Sequence, residues 1–501
     1  MKNIKGFNRI DMKGFKLILS LSALLIIHTV HVKAQSGYVE DALRFSQYGS
    51  TGTSRITALG GTNNALGGDI SNVHGNPAGL GFFQNSEFSF SAGYTDWNAA
   101  TTLLGQPNNF NTTNFSLPNI GVVISRAKAP LEVGDWRGGS FGISVNRQSS
   151  FNNEFGYFSN QLDQGSILDY YIDLYNDNGV PGGTDGLFFE AFLINPAAGG
   201  GYDYSPNATL ALEKTEKVEN EGSMSQISFS YGANYKNKLF LGASLGINTI
   251  SYRSTKTYNE EFLDDSDQTS LFSSLQENLL LDGSGVNLGL GLIYKPVDQL
   301  NLGLNFKSPT WNRFDEEYDA DIFANFFPPY EDPEFGSIAE SDAETDIFIS
   351  SYNLRTPMRF GAGFTYFFGK NGFITADANF LDYSTANLRS NVFNTAQDNQ
   401  EIGSLYGQTI NYSAGGELRI KKLRIRAGYA FFGDPMANPG TLDRSTTQLS
   451  GGIGIKLPSF SIDFALVNSR FNNYYSSYPG SDLAITDNEQ TTGMLTLGFN
   501  F

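Results

Sequence analysis

The chain has 501 residues, room for one large barrel or two or three soluble domains, and carries 33 basic against 51 acidic side chains, a net charge of -18 and no cysteine. That balance argues against nucleic acid as a partner, since little here would neutralise phosphates, and the missing cysteine excludes disulfides, thiolate metal sites and a cysteine nucleophile. Charged residues are only 17% of the chain, against about 25% in ordinary globular proteins.

Glycine (55), tyrosine (25) and phenylalanine (41) are abundant. No apolar run of about 20 residues follows residue 34, which speaks against membrane-spanning helices. At the start, Lys13 and Lys16 precede an apolar run from Leu17 to Ile27, and Val32-Lys33-Ala34 leads into Gln35. This is the plan of a secretory signal peptide over 1-34, with translation starting at Met1 or Met12 and the mature chain at Gln35. Residues 35-85 are rich in glycine and turns. Val39 to Phe45 has the length of two helical turns, Pro77 ends any helix begun at Asp69, and no period-2 run of useful length occurs.

From residue 86 the pattern changes to alternation. Strands are predicted near 86-95, 117-126, 139-147, 224-236, 238-252, 284-295, 299-308, 354-367, 371-382, 409-420, 422-431, 446-457, 458-468 and 491-501, fourteen in all. Ile227, Phe229, Tyr231 and Tyr235, for example, oppose Ser228, Ser230, Gly232 and Asn234. The connections alternate in length. Long ones fall at 96-116, 148-223, 253-283, 309-353, 383-408, 432-445 and 469-490, and short ones at 237, 296-298, 368-370, 421 and 457-458. A sandwich has no reason to sort its loops by parity, whereas a barrel of the bacterial outer membrane does. The last strand places Leu495, Leu497, Phe499 and Phe501 on one face and ends the sequence. Phe499 and Phe501 are the expected assembly signal, read by the barrel assembly machinery. The fold class is therefore all-β: a 14-stranded antiparallel transmembrane β-barrel over 86-501, with outer-membrane lipid around it.

Charges on lipid-facing positions are costly, so Lys307, Asp377, Glu417, Arg419, Arg424 and Arg426 are expected in a polar network inside the barrel. Among the loops, 148-223 carries Phe188, Phe189 and Phe192, and 309-353 carries Phe326, Phe327 and Tyr330 amid acidic residues. These aromatics are candidates for capturing a hydrophobic ligand. No twelve-residue calcium-loop spacing is present, and no metal site or cofactor is expected. Gly138-Gly139-Ser140-Phe141-Gly142 matches G-x-S-x-G but opens a strand rather than a strand-to-helix elbow. The mature chain's one histidine, His74, lies far from it in sequence, so no enzyme is expected.

Asn76-Pro77-Ala78-Gly79-Leu80, following Ala58-Leu59-Gly60-Gly61-Thr62-Asn63, resembles the N-terminal hatch of the long-chain fatty-acid transporter family of the outer membrane, which includes toluene and xylene channels. Leu354-Arg355-Thr356-Pro357, Asp382-Tyr383-Ser384 and Arg424-Ile425-Arg426-Ala427-Gly428-Tyr429 are similar to further stretches of that family. The resemblance implies a fourteen-stranded barrel plugged by residues 35-85, with His74, Asn76, Pro77 and Ala78 in the hatch. It also implies passive uptake of hydrophobic small molecules, such as fatty acids or aromatic hydrocarbons, by loop capture and hatch-gated lateral release. The largest loop follows the third strand, not the family's usual ligand-binding pair, so no loop ligand residues carry over. Some relatives serve as subunits of protein secretion systems and others are labelled haemin receptors.

Overall fold

A computed structural model describes residues 37-128, 132, 134-160, 165-208, 211-264 and 268-501; the signal-peptide expectation lies outside them. Fourteen antiparallel wall strands form one closed ring. They are β1 (Glu87–Leu103), β2 (Gln106–Ala127), β3 (Trp136–Ser150, resuming at Asn153–Ser159), β4 (Ala211–Tyr235), β5 (Leu239–Leu263) and β6 (Thr269–Val297). Next come β7 (Leu300–Lys307, resuming at Trp311–Asp332), β8 (Phe348–Arg355, resuming at Arg359–Phe367), β9 (Gly372–Asp382) and β10 (Gln408–Ile420). The ring finishes with β11 (Leu423–Phe432), β12 (Thr446–Lys456), β13 (Phe460–Tyr475) and β14 (Ala484–Asn500). β14 closes the ring, pairing with β13 on one side and β1 on the other; Phe499 stands opposite both Phe460 and Phe88. Phe501 lies just beyond the strand, exposed, its N–H bonded to the Ser86 carbonyl.

The alternation read in sequence is the inside–outside code of this wall. Phe229, Tyr231, Leu245, Leu288, Leu290, Leu304 and Leu466 stand exposed on the outer face. Their neighbours Ser228, Ser230, Asn248, Asn287 and Asn301 are buried inside.

The expected loop lengths need correction. Much of 96-116, 253-283 and 309-353 is ladder: β1 and β2 pair up to Leu103↔Gln106, and β5 and β6 up to Leu263↔Thr269. β7 runs on to Asp332 and takes a further hairpin strand, Gly336–Glu344. Segments such as Lys256-Thr257-Tyr258-Asn259-Glu260 are polar on both faces, so no apolar alternation marks them as strand. Region 148-223 is likewise part strand, around a helix α2 (Ile167–Asn178) capped by Ser166.

Residues 37-85 contain no strand. They form α1 (Gly37–Arg44), one turn at Ser54–Thr57 and two 3-10 turns, Ile70–Val73 and Pro77–Phe82. Asp69 and Asn76 cap the last two, each accepting a backbone N–H.

Candidate functional site

The segment 37-85 is bonded to strands far apart around the ring, and so crosses its interior. The Ser54 N–H donates to Thr496 Oγ1 on β14 (2.8 Å) and the Gly60 N–H to Ser450 Oγ on β12 (3.2 Å). Asp377 Oδ2 on β9 accepts the N–H groups of Asn63 (2.7 Å) and Asn64 (2.8 Å). Asn301 Nδ2 on β7 donates to the Ala65 carbonyl (3.1 Å), and Ser230 Oγ on β4 to that of Val73.

Two rows of glycine make room for this. Gly232, Gly242 and Gly291 are register partners across β4, β5 and β6. A Cβ on Gly242 would lie 2.3 Å from the Pro77 carbonyl carbon, and one on Gly291 1.9 Å from Asn76 Oδ1. At the other row, Gly415 and Gly428 pair across β10 and β11, and their Cβ atoms would meet Leu59 and Gly60 at 2.5 and 2.2 Å. Asn76 itself donates through Nδ2 to the Asn64 carbonyl (2.6 Å) and the Leu304 carbonyl (3.1 Å). Sequence reasoning takes these wall glycines merely as the polar half of an alternation. Their coincidence at paired positions is the available signal, and it needs the register to be seen.

Charges inside the wall fall into two sets. Glu417 accepts from Arg419 Nε and Arg426 Nε, both at 2.7 Å, and lies 3.8 Å from Arg55, whose other carboxylate partner is Asp69 (3.3 Å). Arg426 also reaches Asp463 at 2.5 Å. Arg424, expected in the same network, bonds instead to the Lys421 and Leu423 carbonyls at the β10–β11 turn, because its position lies too near the strand end. The second set is Lys307 and Arg359. They are direct cross-strand partners on β7 and β8, and both lie over the ring of Tyr48, at 5.9 and 5.2 Å. Lys307 Nζ donates to Gln226 Oε1 (2.7 Å). Neither cation joins an ion pair among the described residues.

Lys307, Arg359, Tyr48, His74, Gln148 and Asp377 border a lumen cavity of about 110 Å³. Three buried atoms at its edge, His74 Nδ1, Gln148 Oε1 and Asp377 Oδ1, have no hydrogen-bond partner among the described residues. Burial, reinforced by the Lys307 charge, pushes the His74 imidazole down to about 3, so it is neutral. Ser140 Oγ is also without a partner among the described residues, and no hydrogen bond joins it to His74. The G-x-S-x-G match thus assembles no triad.

Another layer of the lumen is apolar. Val39, Ala42 and Phe45 pack among Phe151, Tyr252, Phe314, Tyr352 and Leu354. Phe45 stacks on Phe314 at 4.7 Å and meets Phe151 edge-on at 5.7 Å. The loops form a separate apolar cluster of their own. Here the expected capture aromatics are largely spent on packing: Phe188 and Phe326 are fully buried, and Phe189, Phe192 and Tyr330 pack against that core. Of the six, only Phe327 is exposed, at 47%. Stripes of this kind reach their lowest free energy against one another rather than in water.

No family model and no curated protein matches the chain. Solved structures do. A FadL homologue from Pseudomonas aeruginosa superposes with a TM-score of 0.54 at 13% identity, covering 91% of this chain and 99% of the other. The toluene transporter TodX of P. putida gives 0.51 at 14%, covering 91% and 99%. The likeness is one of fold, and it agrees with the resemblance carried by Asn76-Pro77-Ala78: this chain is a closed barrel of the FadL and TodX type.

Proposed function

We propose that the protein is an outer-membrane uptake channel for hydrophobic small molecules with an acidic head group, long-chain fatty acids above all, and that residues 37-85 are its hatch. The observation that carries this is the pairing of Lys307 with Arg359. Like charges directly opposite on neighbouring strands repel, and among the described residues neither has a carboxylate within ion-pair distance inside this low-dielectric lumen. A ligand carboxylate supplies the missing charge. The aromatic layer around Phe45 is where an alkyl tail has its match, once α1 yields the space. The FadL homologue and the toluene transporter share the fold; the cation pair favours the acid over the hydrocarbon.

An apolar solute also needs an exit into lipid. β2 and β3 are paired only from Asn119↔Asn146 to Ala127↔Gly138. Beyond Asn119, toward Gln106, side chains alone span that seam among the described residues, Asn114 Nδ2 bonding Ser150 Oγ at 3.1 Å and Asn108 Nδ2 the Phe158 carbonyl at 3.4 Å. Lateral release passes here, because parting the seam breaks no backbone ladder.

The test is binding and uptake by the Lys307→Gln/Arg359→Gln double variant. It is expected to lose fatty-acid uptake, with a shallower loss for an uncharged hydrocarbon of similar length. Equal uptake of both would remove the head-group reading.

A further inference from the structure

On the outside of the wall, β7 and β8 break at the same level, at Ser308-Pro309-Thr310 and Thr356-Pro357-Met358. The two breaks are stitched to each other: the Thr310 N–H donates to Thr356 Oγ1 (3.0 Å) and the Thr356 N–H to the Thr310 carbonyl (3.0 Å). Beside them lies an outer cavity of about 560 Å³.

The cavity is amphipathic along one direction. One rung of the ladder presents Val286, Trp311 and Arg355 outward; the next presents Ser284, Arg313, Asn353 and Arg389. Trp311 and Val286, with Ile247 beside them, are exposed at the end of the apolar band. Three guanidinium groups therefore stand on the outer face, where the band ends and the long connections begin. Arg313 has Asp315 at 3.8 Å. Arg355 donates to the Thr385 carbonyl at 3.4 Å. Among the described residues no carboxylate pairs with Arg355 or Arg389. In a chain of net charge -18, three arginines line one cavity with a single carboxylate partner among the described residues, and guanidinium forks match anions.

We propose that this cavity holds the phosphate of a membrane lipid, the arginines taking the phosphate and the Trp311–Val286–Ile247 surface the start of an acyl chain. Guanidinium forks match phosphate oxygens, and arginines at the edge of a lipid-facing apolar band meet the head-group layer. The proposal rests on the outer-membrane reading, which places this face in the bilayer. It is independent of the lumen, so it can fail while transport stands.

Full-length protein, the Arg313→Gln/Arg355→Gln/Arg389→Gln variant and an Arg253→Gln control outside the cavity are reconstituted into phosphatidylcholine nanodiscs containing a minor fraction of diphosphoryl lipid A. Lipid A retained per barrel is then measured by mass spectrometry after detergent extraction. Wild type and Arg253→Gln are expected to retain it, and the triple variant to retain about tenfold less, with fatty-acid binding unchanged. Equal retention by the triple variant, or an equal loss in Arg253→Gln, would overturn the site. Undiminished retention of dephosphorylated lipid A would overturn the lipid-phosphate assignment. A chain that does not enter nanodiscs at all refutes the membrane reading and this one together.

Discussion

The lumen has two regions built on the same strands. Around the Asn76-Pro77-Ala78 turn the inner face is small and polar: Ser230, Gly232, Gly242, Gly291, Gly303 and Asp377. Further along those strands toward the long connections it becomes Met224, Ile250, Tyr252, Leu281, Phe314 and Tyr352. The first region holds backbone. Bare glycines let a turn approach to contact, and serine, asparagine and aspartate side chains satisfy its peptide groups, which would otherwise be buried unpaired. The second holds side chains, and its aromatic walls pack against Val39, Ala42 and Phe45. Between them sits the unpaired cation couple. A strand facing lipid is constrained on one face only, and the other is free to change character along its length.

The largest effect on this contrast should come from removing the segment. A chain lacking residues 37-85 is expected to form a barrel with a large, unselective conductance in planar bilayers; conductance equal to the intact protein would mean the lumen is not closed by this segment. Gly242→Val tests the same seat with one side chain. Its Cβ overlaps Pro77, and overpacking of this kind costs about 1–3 kcal/mol, read as partial unseating and raised open probability. The adjacent Leu241 faces outward, so Leu241→Val is the silent control.

In the loops, Phe188→Ala is expected to cost about 3–5 kcal/mol of local stability by leaving a cavity, seen as faster hydrogen exchange over α2. Phe327→Ala, at an exposed position, should stay within about 0.5 kcal/mol. The seam is probed by Asn114→Cys/Ser150→Cys in this cysteine-free chain: oxidation should stop uptake and reduction restore it, and uptake that ignores the bond would move the exit elsewhere.

A pH-dependent effect concerns the cavity between the regions. His74 is held neutral, its folded value near 3 against 6.5 unfolded. Its contribution is complete above pH 6.5 and is lost as pH falls from 6.5 toward 3, at no more than about 1.4 kcal/mol per pH unit. Thermal unfolding of wild type against His74→Gln over that window should show a shallower pH slope in the variant.

Much of this is legible in the residues. Wherever lipid bathes one face, alternation is obligatory, so fourteen strands can be counted along the chain. The same reasoning places Glu417, Arg419 and Arg426 inside. It fails where lipid no longer imposes the rule. The ladder beyond the apolar band reads as loop, and Arg424, at a turn, satisfies its guanidinium on nearby carbonyls. Phe188 and Phe326 read as an open surface because a sequence shows that aromatics are present but not what covers them.

The wall follows from the residues alone, because the contrast between lipid and lumen is written one position at a time with period two. Which positions meet across that wall is settled only in the folded ring: Gly232 beside Gly242 and Gly291, Lys307 beside Arg359, and the leading segment bonded to strands on several sides. Those pairings depend on strand register and on ring closure. Ring closure joins residues hundreds of positions apart, such as Phe88 and Phe499, while register is set strand by strand and shows only once the strands are paired.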